Sequence, residues 1–300
     1  MEMKSVAGVV FYVDVLGVSQ LTKELISIKN HPHIEGDGSK NINQYVAAWI
    51  LKEFRKALVS INRKYKNISI AQLSDSAFLW SENSEIILWG AAELMWKLLP
   101  KGLLCRGGIA FGEIICPIDE ANSLGKFITG SAVTRAVELE KKGKGCRIFS
   151  DTDFPLHALE YFSRSSLAKY LVQPLKILTD YSIVDEFKWY LLQSTGGQLS
   201  VPMLDKKYLK CLALKIMSLE AKLRFSPLFS WNSSSAEGLI HLAATLEAIT
   251  SSISIFIKDS QFERPAEYAK DFFDNEHEEL IVKYINNYKE TIDGVKWRNI

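Results

Sequence analysis

The chain has 300 residues, 47% hydrophobic and 24% charged, with a formal net charge of +1. That is enough apolar material for a packed core and too little net charge to recommend nucleic acid or an acidic membrane as a partner. Met1 to Ser5 runs into an apolar stretch without the segments of a signal peptide, and Gly238 to Ile257 carries His241, Glu247 and many Ser and Thr. A soluble cytoplasmic chain with no transmembrane segment is expected.

Val6 to Val13 reads as a strand apolar on both faces, with Asp14 at its end. Gln20 to Lys29 follows as a helix, and His31 to Lys40 as an exposed loop. Asn41 to Tyr65 reads as a long helix with Val46, Ile50, Phe54, Leu58 and Ile61 on one side. Ile68–Leu73 and Ala77–Trp80 are strands joined at Ser74-Asp75-Ser76. Ser84 to Leu99 is a helix stopped at Pro100, Leu103 to Phe111 a strand, Gly130 to Lys142 a helix and Cys146 to Phe149 a short strand. The order β-α-α-β-β-α-β-α-β predicts an α+β fold, with a ferredoxin-like or palm-type antiparallel sheet flanked by helices. Ile183 to Leu191 could add a strand before a break at Ser194–Gly197. Lys206–Arg224, Ser235–Lys258 and Pro265–Lys289 then read as a C-terminal helical appendage, dividing the chain into 1–193 and 194–300.

In a βαββ arrangement the first strand lies beside the hairpin, so Asp14 and Asp75 can face each other across about 5 Å. A carboxylate on a buried strand is costly unless paired, neutralised or bound to a cation, and two carboxylates are hard oxygen ligands for divalent ions. The Asp14-Val15-Leu16-Gly17 turn would offer backbone N–H groups to a triphosphate. Asp75 is also ordinary turn chemistry, and Asp14 could cap the next helix. The five His residues show no paired ligand spacing, and Cys105, Cys116, Cys146 and Cys211 are too widely spaced for CxxC pairs. Reduced thiols are expected. Gly125-Lys126 lacks the upstream Gly and following Ser or Thr of a P-loop.

Taken together, Tyr12-Val13-Asp14-Val15-Leu16-Gly17-Val18-Ser19, Ser74-Asp75, Arg106-Gly107-Gly108-Ile109-Ala110-Phe111-Gly112 and Gly130-Ser131-Ala132-Val133-Thr134-Arg135-Ala136 resemble the catalytic core of class III nucleotide cyclases, over roughly residues 6 to 150. In that register the positions that read a purine fall on Ala71 and Phe127, which cannot make polar contacts with a base edge. The family's Asn and Arg fall on Thr134 and Glu138. Glu138 cannot supply the missing positive charge; Arg135, Arg106, Lys126 and Lys144 are the candidates, in that order.

This divergence looks like the bacterial pyrimidine cyclases of Pycsar anti-phage systems. The resemblance implies a homodimer with composite active sites, dependence on two Mn²⁺ or Mg²⁺ ions, and a pyrimidine triphosphate substrate, UTP before CTP. The product would be a 3′,5′-cyclic monophosphate for a downstream effector that forms no stable complex. The ribose 3′-OH would attack the α-phosphorus and pyrophosphate would depart. It places Asp14, Asp75, Arg135 and Thr134 in catalysis, Asp14, Val15 and Asp75 at the metal, and Arg106, Phe127 and Ala71 around the nucleotide, to which the turn reading adds Gly17, Val15 and Leu16 and the second helix adds Tyr45. Tyr45 and Trp49 could stack on a base or simply belong to the core, and Arg106 could contact phosphate or pair with a structural carboxylate. A catalytically inactive cyclase-like sensor and a palm-type polymerase or nuclease are the other classes considered; near-neutral charge and the lack of a basic stripe argue against the last.

Overall fold

The computed structural model describes residues 2–26, 28, 31, 33–34, 42–118, 127–151, 154, 168–177, 182–192, 206–229 and 231–251. A seven-stranded sheet runs β2-β3-β1-β4-β5-β7-β6, with β1 Met3–Val15, β2 Ser69–Leu73, β3 Ser76–Ser81, β4 Cys105–Pro117, β5 Ile148–Ser150, β6 Val172–Lys176 and β7 Ile183–Phe187. Its first four strands are antiparallel neighbours in the ferredoxin-like order, and β5 then joins β4 in parallel. The expected α+β architecture is the observed one.

The central strand explains how the layers form. Along β1, Val9, Phe11, Val13 and Val15 project to one face and Val10, Tyr12 and Asp14 to the other, as the two-residue period of a strand requires. The first face is covered by α2 Ile42–Lys64 and α3 Ser84–Leu98. Val46, Ile50, Phe54, Leu58 and Ile61 of α2 are all buried there, as their helical spacing predicts. The Asn83 side chain caps α3 by accepting from the N–H groups of Glu85 and Ile86. The second face is covered by α4 Ser131–Glu140 through Ala132, Ala136 and Leu139. Gly108 of β4 lies directly under the carbonyl of Ala136, so any side chain there would displace α4.

Several boundaries differ from the sequence reading. The helix expected over Gln20–Lys29 is a single turn, α1 Val18–Thr22, because Glu24 takes a left-handed backbone (φ 57°). The chain beyond it is sewn to α2 by Asn43, whose side chain accepts from Ile28 N (3.2 Å) and donates to Ile26 O (2.6 Å). His31 is not on an exposed loop: it is buried against the ring of Trp49. β1 starts in an exposed segment, Met3–Ser5, and β4 continues beyond Phe111 to Pro117, with Ile114, Cys116 and Pro117 buried. β6 was not anticipated; with Pro174 in its middle it sits at the sheet edge, where a missing N–H is tolerated. The strand expected through Leu191 stops at Phe187 and becomes a buried 3-10 turn, Trp189–Leu191.

A one-turn helix, α5 Ala168–Leu171, precedes β6. In the C-terminal part, α6 Lys206–Phe225 and α7 Ala236–Ser251 match two expected helices. The Ser194–Gly197 break and the helix expected over 265–289 lie outside the described residues. Leu212, Ile216, Leu219, Leu223, Phe229, Trp231 and Ile249 join the same apolar cluster as β1, α2 and α3. Among the described residues no helix is long and apolar enough to cross a membrane. Cys105, Cys116 and Cys146 are buried free thiols.

Candidate functional site

The sheet order sets Asp14 at the end of the central strand, opposite Ser76 on one side and Arg106 on the other. The β2–β3 turn brings Asp75 alongside, tied by Val15 N–H donating to Asp75 O (2.9 Å). Ser74 takes a left-handed conformation (φ 57°) to make that turn. Asp14 and Asp75 line one cavity of about 180 Å³, with Val15, Leu16, Gly17 and Arg106 also on its wall. The two acids singled out from sequence are therefore brought together.

The electrostatics of this cavity favour a cation. Burial pushes the Asp14 carboxyl up to about 7, the neighbouring Glu140 and Asp75 carboxylates add to the rise, and Arg106 opposes it. Arg106 is itself engaged: its guanidinium pairs with Glu140 (Nε to Oε1 2.6 Å) and donates to Gly143 O at 2.7 Å. Arg106 therefore makes the structural carboxylate pair, while still facing the cavity. Among the described residues no group of three or more His, Cys, Asp or Glu is arranged to hold a metal ion. Two hard carboxylate oxygens, a net negative wall and an orphaned buried amide oxygen on Asn232 nevertheless suit a divalent cation completed by water or phosphate oxygens.

The N–H groups expected to cradle a triphosphate are partly spoken for. Val15 N–H goes to Asp75 O, and Leu16 N–H donates to Leu104 O at 2.8 Å. That use of Val15 and Leu16 is corrected, leaving Val18 and Ser19 as the amides with no partner inside their own helix. Gly17 caps α1 with φ 88°, and a Cβ there would stand 2.6 Å from the ring of Trp231. Trp231 thus closes the side of the turn where a side chain would project.

Other predicted residues lie elsewhere in the chain. Arg135 donates to Phe111 O and pairs with Asp151 (2.9 Å), beside Gly112. Gly112 is six residues along β4 from Arg106, about 20 Å at a strand's rise. Thr134 and Glu138 are exposed on one stripe of α4. Ala71 is buried beside Phe78, whose ring lies 4.8 Å from Tyr12. Phe127 is 42% and Tyr45 50% exposed, and neither lines the cavity. Lys144 is exposed and pairs with Glu237 at 3.5 Å, and Lys126 lies outside the described residues.

Sequence reasoning missed the far wall. Trp231, Asn232, Ser235, Glu237, Gly238 and His241 line the same cavity from the C-terminal part. His241 accepts from Gly145 N–H through Nδ1 (3.0 Å); burial, then Arg106 and Lys144, lower its pKa to about 4. Glu140 could have been found from its place one turn after Ala136 on the apolar stripe of α4. Nothing in the spacing around Trp231 and Asn232 marks them.

No family model matches the sequence, and no curated protein matches it. Among solved structures, the chain is similar to the guanylyl cyclase domain of the RhoGC fusion protein from the aquatic fungus Blastocladiella emersonii, at 12% identity over 62% of this chain and 97% of that chain, TM-score 0.42. It is similar to the adenylyl cyclase CyaB from P. aeruginosa at 14% identity, over 66% and 100% of the two chains, TM-score 0.41. A bacterial light-regulated adenylyl cyclase gives 13% identity, 62% and 92% coverage and TM-score 0.43. Likenesses of this size carry no argument about activity.

Proposed function

We propose that this chain is a metal-dependent nucleotide cyclase that converts a pyrimidine nucleoside triphosphate, UTP in preference to CTP, to its 3′,5′-cyclic monophosphate and pyrophosphate. The observation that carries the reading is the convergence of Asp14 and Asp75 on one cavity, where burial first and the neighbouring Glu140 and Asp75 carboxylates second push the Asp14 carboxyl up to about 7. Asp14, Asp75 and the carbonyl of Val15 would hold Mn²⁺ or Mg²⁺. Such ions, when bound, supply the positive charge that phosphoryl transfer needs at the entering and leaving oxygens.

The chain's own residues do the rest. Val18 and Ser19 present N–H groups toward phosphate at the Gly17 turn. Arg106, held by Glu140, adds a fixed positive charge at the cavity wall. Ala71 and the Tyr12–Phe78 aromatic pair offer a base an apolar surface without polar readers of a purine edge. A cavity of about 180 Å³ is below the roughly 300–1,000 Å³ of typical small-molecule sites, which supports a site that a second copy completes. This favours a homodimer in which Arg135 and Thr134 of one copy complete the site of the other, with Phe127 and Tyr45 toward the base. The cyclic product would serve as a cytoplasmic second messenger in anti-phage defence, read by a separate effector.

A second reading, a nucleotide-binding sensor without turnover, is favoured by Glu138 standing where the resemblance places an Arg. Incubation with Mn²⁺ and each of the four nucleoside triphosphates separates the two. Cyclic UMP or cyclic CMP supports the cyclase, cyclic purine products would overturn the substrate assignment, and binding without conversion would establish the sensor.

A further inference from the structure

The cavity is bounded on one side by β1 and the hairpin turn and on the other by the segment from Trp231 into α7. This second wall is built, not draped. Ser234 Oγ donates to Trp231 O (2.5 Å), Ser235 Oγ accepts from Gly238 N–H (3.0 Å), and Gly145 and Cys146 donate their N–H groups to His241 Nδ1 (3.0 Å) and Thr245 Oγ1 (2.9 Å). Gly238 has no room for a Cβ because the Asn232 carbonyl lies against it. The segment's position is therefore fixed from both ends.

Within it Asn232 is 4% exposed, lines the cavity, and has an Oδ1 with no hydrogen-bond partner among the described residues. A buried amide oxygen is rarely left unpaired, because it has lost water without replacement. It is also a hard, neutral oxygen donor of the type that Mg²⁺, Mn²⁺ and Ca²⁺ accept. Although Glu237 and His241 line the same cavity, among the described residues no group of three or more His, Cys, Asp or Glu is arranged to hold a metal ion. A neutral ligand adds a bond to a cation without adding to the carboxylate repulsion already present there.

We propose that Asn232 is a third oxygen ligand to the divalent cation at Asp14 and Asp75, so that the C-terminal part supplies a piece of the metal site. The inference rests on the metal reading above. It predicts that α7 and its leading turn cannot be removed without loss of metal affinity.

The test is Mn²⁺ titration of the full chain by calorimetry and Mn²⁺ electron paramagnetic resonance, without nucleotide, on the wild type, Asn232→Leu, Asn232→Asp and Asp14→Asn. Asn232→Leu should weaken Mn²⁺ binding about tenfold or more while the metal-free melting temperature stays level or rises, since an orphaned oxygen is removed. Asn232→Asp should bind at least as tightly as the wild type. Wild-type affinity in Asn232→Leu, or weaker binding in Asn232→Asp, would overturn the proposal. If either result accompanies loss of binding in Asp14→Asn, the two-acid site stands without Asn232; a wild type that binds no Mn²⁺ removes both. Should Asn232→Leu fail to fold, Asn232→Asp decides.

Discussion

At the scale of single residues, the Asp14 carboxyl is the group whose state is most unusual, and its sign has a consequence. Its pKa rises from 3.8 to about 7 on folding, so between these values the native state holds a proton that the unfolded state has lost. Its contribution to stability is therefore lost as pH rises from about 4 to 7, and above 7 the metal-free protein carries the full penalty. Asp14→Asn should be more stable than the metal-free wild type at pH 8, by on the order of 2 kcal/mol, and equal to it near pH 3.5. Urea denaturation at both pH values checks this. Asp14 and Asp75 were legible because each interrupts or joins apolar strands where a carboxylate needs a reason. Glu140 was within reach as a carboxylate on the apolar stripe of α4; Asn232 was not, since it sits in a short turn whose meaning depends on what it packs against.

At the scale of elements, the α1 turn and the C-terminal wall fit each other through one contact. Gly17 has φ 88° and the Trp231 ring where a Cβ would go. Gly17→Ala should cost about 1–2 kcal/mol for the left-handed backbone alone, with a further loss from displacing the indole. Trp231→Ala should relieve only the second part, so a double-mutant cycle should show coupling without full rescue. α7 also docks through neutral His241, which accepts the Gly145 N–H. Because the His241 pKa falls from 6.5 to about 4 on folding, this stabilisation is complete above 6.5 and lost as pH falls toward 4. His241→Gln, which keeps an acceptor that does not titrate, should flatten the melting temperature over that window. The long helices α2, α3, α6 and α7 could be read from their apolar period. The single-turn α1, the edge strand β6 and the Trp189–Leu191 turn could not, because Asn43, the sheet edge and the core decide them.

At the scale of the whole molecule, Thr134 and Glu138 lie on the exposed stripe of α4, and Arg135 sits about six residues of β4 away from the acid cavity, all within one chain. The dimer reading makes that separation a requirement: the α4 of one copy faces the cavity of the other. Asp14→Ala and Arg135→Ala should each be inactive alone. Mixed in equal amounts and allowed to exchange, they should recover roughly a quarter of wild-type turnover, since half the dimers then carry one intact site of two. No recovery, with exchange demonstrated, would place both residues in the same site. The order of the first four strands, β2-β3-β1-β4, was within reach of the sequence because a βαββαβ sequence of elements admits few arrangements. The joint burial of β1, α6 and α7 residues in one cluster did not, since two amphipathic helices leave their packing partner unspecified.

The central claim is that Asp14 and Asp75 form one metal-dependent centre for phosphoryl transfer. It is tested most directly by the rate of cyclic UMP and cyclic CMP formation with Mn²⁺ for the wild type, Asp14→Ala and Asp75→Ala, all shown to be folded. The wild type should give product that vanishes with chelator, and each variant should lose turnover by at least about a thousandfold. Turnover at the wild-type rate in either variant, or no cyclic nucleotide from the wild type, would contradict it.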